Sequence, residues 1–265
     1  MAARVVFLGT ASALPSPTQD NSSLLFESNG SYLMIDCSGT PYRKLVTLGV
    51  ERDRLEHILI THHHIDHIYA LPSLVECLWI EGRDIPLHIY ALPSAIHAIE
   101  TLLDLWTLRS RPVRAFPIEI HPIEGYSDEL VFHNSNFTVR TTPMIHAVPN
   151  VATKVTFPNG VTFVYSSDTA PNQQLVDFAQ GVDYVLMECT FCNDDDGLAE
   201  ITHHLNSEMY GDMALQINAK NTLLIHHSDV VACPHTEILD ELGDKNPKLH
   251  RRVHIPRDME VMDLE

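Results

Sequence analysis

A run of side chains that bind metals stands directly after an apolar stretch. Residues 57–60 read His-Ile-Leu-Ile, as expected of a buried strand, and metal-ligand types follow at His62, His64, Asp66 and His67. In a turn just past a strand end, His62 and His64 can converge on one ion. Asp66 and His67 then face a neighbouring position. Imidazole nitrogen and carboxylate oxygen suit zinc best, with manganese or iron as alternatives. The pattern predicts two divalent metal ions, about 3.5–4 Å apart as in two-metal hydrolases.

Further ligands are expected elsewhere in the chain, because one short loop cannot satisfy two ions. Each should stand at a strand end on the same rim as the first run. Three candidates meet this condition: His146 after the predicted strand at 137–142, Asp168 after 161–166, and His226 after 222–225. The Asp168 carboxylate can bridge both ions. Each candidate alone is equally well explained as a surface histidine or a turn-forming aspartate, so their weight comes from occurring together.

The predicted elements that position these residues fall into two similar halves. Asn29-Gly30 and Asn159-Gly160 are two-residue hairpin signals between short apolar stretches. Hairpins followed by alternating strands and helices occur near the start and again after about residue 129, which predicts two mixed sheets with helices on their outer faces. No linker or low-complexity segment divides the chain, so we predict one domain over residues 1–265. The helices are predicted at 41–48, 68–80, 94–107, 171–179, 206–218 and 235–242.

The composition is acidic and rich in histidine. The chain has 35 Asp plus Glu against 17 Lys plus Arg, a formal charge of −18, and 17 histidines. A binder of nucleic acid or anionic membrane needs a concentrated basic surface, so neither partner is favoured. Two buried cations reverse the sign locally, which keeps an anionic substrate possible. No signal peptide and no apolar run of membrane-spanning length is visible, and we expect a cytoplasmic protein.

The sequence resembles the metallo-β-lactamase superfamily over nearly its whole length. The resemblance implies an α/β fold, a four-layered αββα sandwich of two similar mixed-sheet halves with the metals at one edge. It also implies a division of the ligands between the two ions. The residues that carry the resemblance, in the order and approximate spacing of the superfamily, are His62, His64, Asp66, His67, His146, Asp168 and His226.

Within the superfamily, the chain is most similar to ribonuclease Z and its relatives, which include arylsulfatases and small phosphodiesterases. The segments that carry this likeness are Phe7-Leu8-Gly9-Thr10, residues 33–37, Glu188-Cys189-Thr190-Phe191, and His204, which stands 22 residues before His226. By this resemblance His204, backed by Glu188, donates a proton to the leaving oxygen or stabilises charge on the phosphoryl group. The family likeness also suggests a homodimer.

The ligand sets implied by the resemblance leave three neighbouring histidines unused. The resemblance implies that a hydroxide between two metal ions, most simply Zn²⁺ with Mn²⁺ or Fe as alternatives, attacks phosphorus, sulfur or a carbonyl carbon, and that Asp66 also orients this nucleophile. The expected non-ligands are His63, His203 and His227. One ion is assigned to His62, His64 and His146, the other to Asp66, His67 and His226, with Asp168 bridging.

Three departures from the ribonuclease Z pattern bear on the substrate. Only 21 residues separate His146 from Asp168, too few for the long arm by which many of these enzymes grip tRNA. Residues 227–230 lack the arginine that pairs with phosphate in that group, and Met187 replaces a histidine. The sequence therefore favours a metal-dependent hydrolase of a small anionic ester, either a phosphodiester or a related phosphate or sulfate ester. Processing of tRNA 3′ ends is the alternative, so nucleic acid stays a possible partner.

Two other functions remain open at this stage. A lactone, thioester or β-lactam carbonyl could be the target of the same metals, although carbonyl hydrolysis has less need of the His204 and Glu188 pair. The other is a metal-containing scaffold or sensor without turnover. The substrate, the identity of the metals and the oligomeric state are not fixed by the sequence.

Overall fold

The computed structural model describes residues 3–113, 115–193, 197–228, 234–245 and 247–265, and these form two mixed β-sheets with helices outside them. Asp229 and Val230, in the segment compared above with the phosphate-binding arginine, lie outside the described residues. Within the described part of the chain, no helix combines the length and the apolar character that crossing a membrane requires.

The strands are mostly short and rich in β-branched and aromatic residues, as pleated, half-buried surfaces favour. Their bounds are β1 (Ala3–Gly9), β2 (Ser23–Ser28), β3 (Ser31–Ile35), β4 (Leu55–Ile60), β5 (Leu87–Ala91), β6 (Ile118–Pro122), β7 (Glu129–His133), β8 (Thr138–Met144), β9 (Asn150–Thr156), β10 (Thr162–Tyr165), β11 (Tyr184–Glu188), β12 (Asn221–Ile225), β13 (Val253–His254) and β14 (Val261–Leu264). The helices are α1 (Pro41–Thr47), α2 (Ile65–Ile68), α3 (Leu71–Ile80), α4 (Pro93–Leu105), α5 (Gln173–Phe178), α6 (Leu198–Thr202), α7 (Ser207–Ile217), α8 (His235–Lys245) and α9 (Pro247–His250).

Each sheet combines antiparallel hairpins with a parallel part. Among the described residues, one sheet has the order β14-β1-β2-β3-β4-β5-β6 and the other β13-β12-β11-β10-β9-β8-β7. Strands β3 to β6 run parallel in the first sheet, and β10 to β13 run parallel in the second. The carboxyl ends of parallel strands meet at one edge of a sheet, where ligands commonly bind in open α/β sheets.

Three apolar layers hold the sheets and helices together. In β4, Ile58 packs against the helices outside the first sheet, whereas its neighbour Leu59 belongs to the layer between the sheets. The alternation follows from the two-residue period of a strand. Val185 lies in the third layer, between the second sheet and its own helices. The predicted αββα sandwich is therefore confirmed.

Some boundaries differ from the sequence predictions. The helix predicted at 68–80 begins earlier and is interrupted, because Pro72 favours the start of a new helix and cannot continue an old one. Strand β6 was not predicted, since it is an edge strand with polar residues between Pro117 and Pro122. Strand β14, near the C-terminus, pairs with β1, so the second half of the chain closes the first sheet.

A buried lysine links the segment before β14 to the first sheet. Lys44 is only 6% exposed, and its Nζ lies 3.0 Å from Asp258 Oδ2 and 2.6 Å from Asp20 Oδ2. It also donates to the carbonyl oxygen of Leu8. Burial alone raises the pKa of Asp20, but the pairing with Lys44 outweighs it and lowers that pKa.

We expect Lys44→Met to lower the free energy of unfolding by up to about 3 kcal/mol, because it leaves two partly buried carboxylates without their counter-charge. Urea unfolding followed by circular dichroism measures this loss. Arg43→Met is the matched control, since Arg43 is exposed in the same helix and its loss should change the free energy by less than about 0.5 kcal/mol. Equal losses of unfolding free energy in the two variants would show that the Lys44 ion pairs do not stabilise the fold.

Candidate metal centre

The seven predicted ligands lie together where the strand ends of both sheets meet. His62 and His64 occupy the loop between β4 and α2, and Asp66 and His67 stand in α2 itself. The remaining three come from the second sheet: His146 after β8, Asp168 after β10 and His226 after β12. Chain segments far apart in sequence thus present nitrogen and oxygen atoms to one small volume.

One group of potential ligand atoms comes from four of these residues. His146 Nε2 lies 3.0 Å from His64 Nδ1. Asp168 Oδ2 is 3.6 Å from His62 Nε2 and 3.7 Å from His146 Nε2. All four ligand atoms lie within 4.8 Å of one another.

The second group is adjacent and shares the Asp168 carboxylate. Asp66 Oδ2 lies 3.5 Å from His67 Nε2 and 3.6 Å from His226 Nε2. Asp168 Oδ1 is 3.4 Å from His226 Nε2. Asp168 Oδ2 also lies 3.4 Å from His67 Nε2, so the Asp168 carboxylate contacts both groups, as a carboxylate shared between two cations must.

These distances fit metal coordination. Zinc bonds of roughly 2.0–2.1 Å at tetrahedral angles place neighbouring ligand atoms about 3.3 Å apart, close to the separations above. Within the described residues, four of the atoms that face the two groups are buried and have no hydrogen-bond partner, which is costly unless a cation is bound there. They are His62 Nε2, His67 Nε2, His226 Nε2 and Asp168 Oδ1.

Hydrogen bonds from outside the two ligand groups hold the histidine rings in orientation. The other ring nitrogen, Nδ1, has an oxygen partner in four of the histidines, and such partners set the tautomer and orientation of metal ligands. The pairs are His62 with the Thr61 hydroxyl (3.1 Å), His67 with Asp36 Oδ2 (2.8 Å), His146 with the carbonyl oxygen of His203 (3.2 Å) and His226 with the Thr190 hydroxyl (2.9 Å).

Three strand ends and one helix end near the site have unusual backbone conformations. Asp36, Ser167, His203 and His226 have φ angles of 59°, 54°, 59° and 63°, in the left-handed region that residues with a side chain seldom adopt. Each residue either belongs to the groups described above or contacts a member of them. Asn150 supports one such turn, since its Nδ2 donates to the carbonyl oxygen of Asp168 (2.6 Å) and its Oδ1 accepts from Ser167 Oγ (3.0 Å).

The electrostatics of the site favour added positive charge. Burial works against a charged His67 imidazole, but the carboxylates of Asp168 and Asp36 outweigh it and hold the pKa of His67 well above its usual value. Burial, reinforced by His67, lowers the pKa of His62 well below its usual value. A site that draws a proton onto one histidine between two carboxylates also attracts a metal cation, which displaces that proton on binding.

Asp36 is a site residue to which the sequence analysis assigned no function. It is completely buried, and its Oδ1 accepts hydrogen bonds from the Thr61 backbone N–H (2.9 Å) and hydroxyl (3.0 Å). In the sequence, Asp36 is recognisable only as a carboxylate directly after buried strand β3, which neighbours β4. Only the pairing register of these two strands shows that Asp36 contacts His67.

We expect Asp36→Asn to weaken metal binding by about 10- to 100-fold, because the charge that holds His67 in orientation is lost. Competition with a chromophoric chelator measures the affinity. Asp183→Asn is the control, since Asp183 is a partly buried carboxylate that also accepts hydrogen bonds but stands just before the start of β11, away from the candidate metal centre. Unchanged affinity in Asp36→Asn, or an equal loss in the control, would overturn the assignment.

His204 and Glu188 form a second functional unit beside the metal groups. Glu188 is completely buried at the end of β11, and its Oε1 lies 2.8 Å from His204 Nδ1. The Thr169 N–H donates to Oε1 (2.7 Å) and the Leu205 N–H to Oε2 (3.2 Å). A ring nitrogen of His204 lies within 4.8 Å of ligand atoms of Asp168 and His226.

The pair keeps a proton on His204. Burial disfavours the charged ring, but the negative charge of Glu188 and its hydrogen bond outweigh burial and raise the pKa of His204 to about 9. Because Nδ1 is held by Glu188, Nε2 is the nitrogen left for a ligand in the cleft. Such a group can donate a proton near neutral pH.

The cleft over the site has a volume of about 200 Å³. Its walls are completed by four residues that were not predicted as site residues: Ser12, Ala13, Phe191 and Thr202. Among the described residues, the three expected non-ligands, His63, His203 and His227, belong to neither ligand group. His227 instead lies 3.2 Å from Gln19 Nε2 through its own Nε2.

Comparison with known protein families identifies the chain. The family model described as "Anti-Pycsar protein Apyc1" matches residues 3–232. The chain belongs to this Apyc1 family. The match includes all seven predicted ligands together with Glu188 and His204, so the family core contains the complete candidate site.

Relatives of this Apyc1-family chain include ribonuclease Z. That of Azobacteroides pseudotrichonymphae is 27% identical over 84% of this chain and 87% of its own length. The ribonuclease Z of Methanococcus maripaludis (strain DSM 14266) is 29% identical over 149 residues, and the chain spans 47% of its length. The crystal structure of the metallo-beta-lactamase fold protein YhfI from Bacillus subtilis has a TM-score of 0.79 at 22% identity, covering 99% of this chain and all of that one.

The predicted relation to the ribonuclease Z group of the metallo-β-lactamase superfamily is therefore confirmed. The prediction of a metal-dependent hydrolase that acts on ester or phosphodiester bonds is also confirmed. The clustered histidines and aspartates of the Apyc1-family chain fit divalent metal binding.

Proposed function

We propose that the protein hydrolyses a small phosphodiester, or a related phosphate or sulfate ester, with the help of two metal ions. The observation that carries this proposal is the His204–Glu188 pair, held at 2.8 Å and opening on the cleft beside Asp168 and His226. A proton donor in this place suits a poorly stabilised alkoxide leaving group.

The candidate ligands divide into two sets of nitrogen and oxygen donors, which favours Zn²⁺ with Mn²⁺ or Fe as alternatives. Bound divalent cations would lower the pKa of a water molecule and neutralise negative charge on the substrate. The sets are His62, His64 and His146 for one ion and Asp66, His67 and His226 for the other, with Asp168 shared.

The protein's own side chains then bind the substrate and move protons. Asp66 lines the cleft and accepts a hydrogen bond from the attacking water, which orients it toward the ester. His204 donates the proton of Nε2 to the departing oxygen. Glu188 stabilises the protonated ring before this transfer and holds the ring in orientation through Nδ1.

The substrate is expected to be small. Strands β9 and β10 occupy most of the interval between His146 and Asp168 and join through the Asn159-Gly160 turn, so no long arm projects from this interval. With a formal charge of −18, the chain also lacks an excess of basic residues for a polynucleotide backbone. Processing of tRNA 3′ ends is the second candidate function, supported by the ribonuclease Z relatives.

A substrate panel tests the proposal. Zinc-loaded and manganese-loaded protein is offered bis(p-nitrophenyl) phosphate, p-nitrophenyl sulfate, a thioester, a lactone and a tRNA precursor with a 3′ extension. We expect cleavage of the diester, with the carbonyl substrates and the precursor turned over far more slowly. Faster hydrolysis of the thioester or lactone would overturn the phosphoryl assignment, and efficient 3′ cleavage of the precursor would favour the second candidate.

A further inference from the structure

A second cluster of metal-binding side chains lies outside the candidate metal centre. His88 stands near the start of β5, and Glu119 and His121 stand in the neighbouring edge strand β6. His88 is the register partner of Glu119 in the parallel pair and of His57 in β4. Because His57 precedes His62 by five residues in an extended chain, the cluster is about 16 Å from the candidate metal centre along the strand direction.

The two-residue period of the strands brings these side chains to one face. Leu87 and Ile89 pack against the outer helices, which turns His88 and Tyr90 toward the space between the sheets. In β6, Ile118 and Ile120 also pack outward, so Glu119 and His121 face the same space. At this rim the layer between the sheets is open, and the three side chains are 29%, 47% and 39% exposed.

The geometry of the three candidate ligand atoms is compatible with a metal site. His88 Nδ1 lies 3.1 Å from His121 Nε2 and 3.3 Å from Glu119 Oε2, and His121 Nε2 lies 4.0 Å from Glu119 Oε2. Tetrahedral zinc with bonds of roughly 2.0–2.1 Å needs separations of about 3.3 Å, so small side-chain movements suffice. Two imidazoles and a carboxylate are also a preferred donor set for zinc, with one position left for water.

We propose that His88, Glu119 and His121 form a third cation site, which takes Zn²⁺ or a transition metal of similar ligand preference. The site is distinct from the dinuclear centre and shares no residue with it. Its cation would link the edge strand β6 to β5. This link matters because β6 is short, follows Pro117, ends at Pro122 and, among the described residues, pairs on one side only.

Neighbouring rings already hold the ligands in place. The His57 ring stacks on His88 with centroids 5.3 Å apart, and the Tyr90 ring stacks on His121 at 4.8 Å. His57 is not itself a ligand, since its two nitrogens lie 3.3 Å from the Tyr90 hydroxyl and 3.2 Å from Asn134 Nδ2. Imidazoles that are oriented before binding lose less freedom when a cation arrives.

Metal counting tests the site without reference to catalysis. The purified chain is stripped with a chelator and equilibrated with Zn²⁺ in a buffer that fixes the free ion concentration, and zinc per chain is measured by mass spectrometry. We expect three ions in the unaltered protein and two in both His121→Asn and Glu119→Gln. Saturating zinc should also raise the melting temperature of the unaltered protein more than that of either variant.

His97→Asn is the matched control, because His97 is an exposed histidine on α4 and belongs to no ligand cluster among the described residues. It should keep all three ions. Equal zinc content in the unaltered protein and both variants would overturn the proposal and leave the cluster as a hydrogen-bonded network. Retention of two ions and of a native circular dichroism spectrum by the variants shows that a lost ion is not caused by misfolding. Failure of the proposed esterase activity would leave these counts unaffected.

Discussion

Asp168→Ala is expected to abolish most of the hydrolytic activity. Its Oδ2 lies 3.6 Å from His62 Nε2 and its Oδ1 lies 3.4 Å from His226 Nε2, so their loss removes the donor that the two ligand groups share and loosens both groups at once. Metal assistance contributes several kcal/mol to such reactions, and losing it lowers kcat/KM by roughly 10³-fold or more. The measurements are kcat/KM on bis(p-nitrophenyl) phosphate and zinc content per chain.

Asp177→Ala provides the control for this substitution. Asp177 is an exposed aspartate of α5 whose carboxylate accepts a hydrogen bond from Gln173, and its loss should leave both quantities unchanged. If Asp168→Ala kept its full metal content and normal activity, the shared-ligand assignment would have to be abandoned.

His204→Asn is expected to lower kcat by about 10²- to 10⁴-fold, the usual contribution of a positioned proton donor. Metal content should hold, since His204 belongs to neither proposed ligand set. A proton donor matters most when the leaving oxygen is strongly basic. The loss should therefore be large for diesters with alkyl or phenyl leaving groups and much smaller for p-nitrophenyl esters.

This dependence on the leaving group separates proton donation from a structural contribution. A variant that merely distorts the cleft loses activity equally on all diesters, and that result would contradict the assigned function of His204. Glu188→Gln should show the same trend more weakly, because it keeps the side-chain shape but removes the charge that raises the pKa of His204. Glu188 is in this sense a positioning residue.

The fold and the candidate ligands were readable from the sequence for different reasons. The sheets could be predicted because short alternating stretches and Asn-Gly turns repeat through both halves of the chain. The first ligand candidates could be predicted because His62, His64, Asp66 and His67 stand close together directly after a strand. The structure then brings His146, Asp168 and His226 to the same edge, although that they bind metal stays a prediction.

Other features depended on tertiary contacts that leave no local pattern. Asp36 and Thr190 contact metal-centre histidines only through the register of neighbouring strands. The cluster of His88, Glu119 and His121 is formed by β5 and β6, whose pairing could not be inferred because β6 has no strong strand signal. The return of β14 to the first sheet is equally nonlocal, as it pairs residues from the two ends of the chain.

The left-handed turns at Asp36, Ser167, His203 and His226 affect how the protein matures. Each such conformation costs on the order of 1–3 kcal/mol, and it persists only where surrounding packing imposes it. We therefore expect the folding of the two sheets to impose these conformations and to bring the candidate ligands together. Small zinc-dependent domains behave differently, since they stay unfolded until metal binds. For this protein we expect a newly made chain to fold first and to receive its ions as a late step.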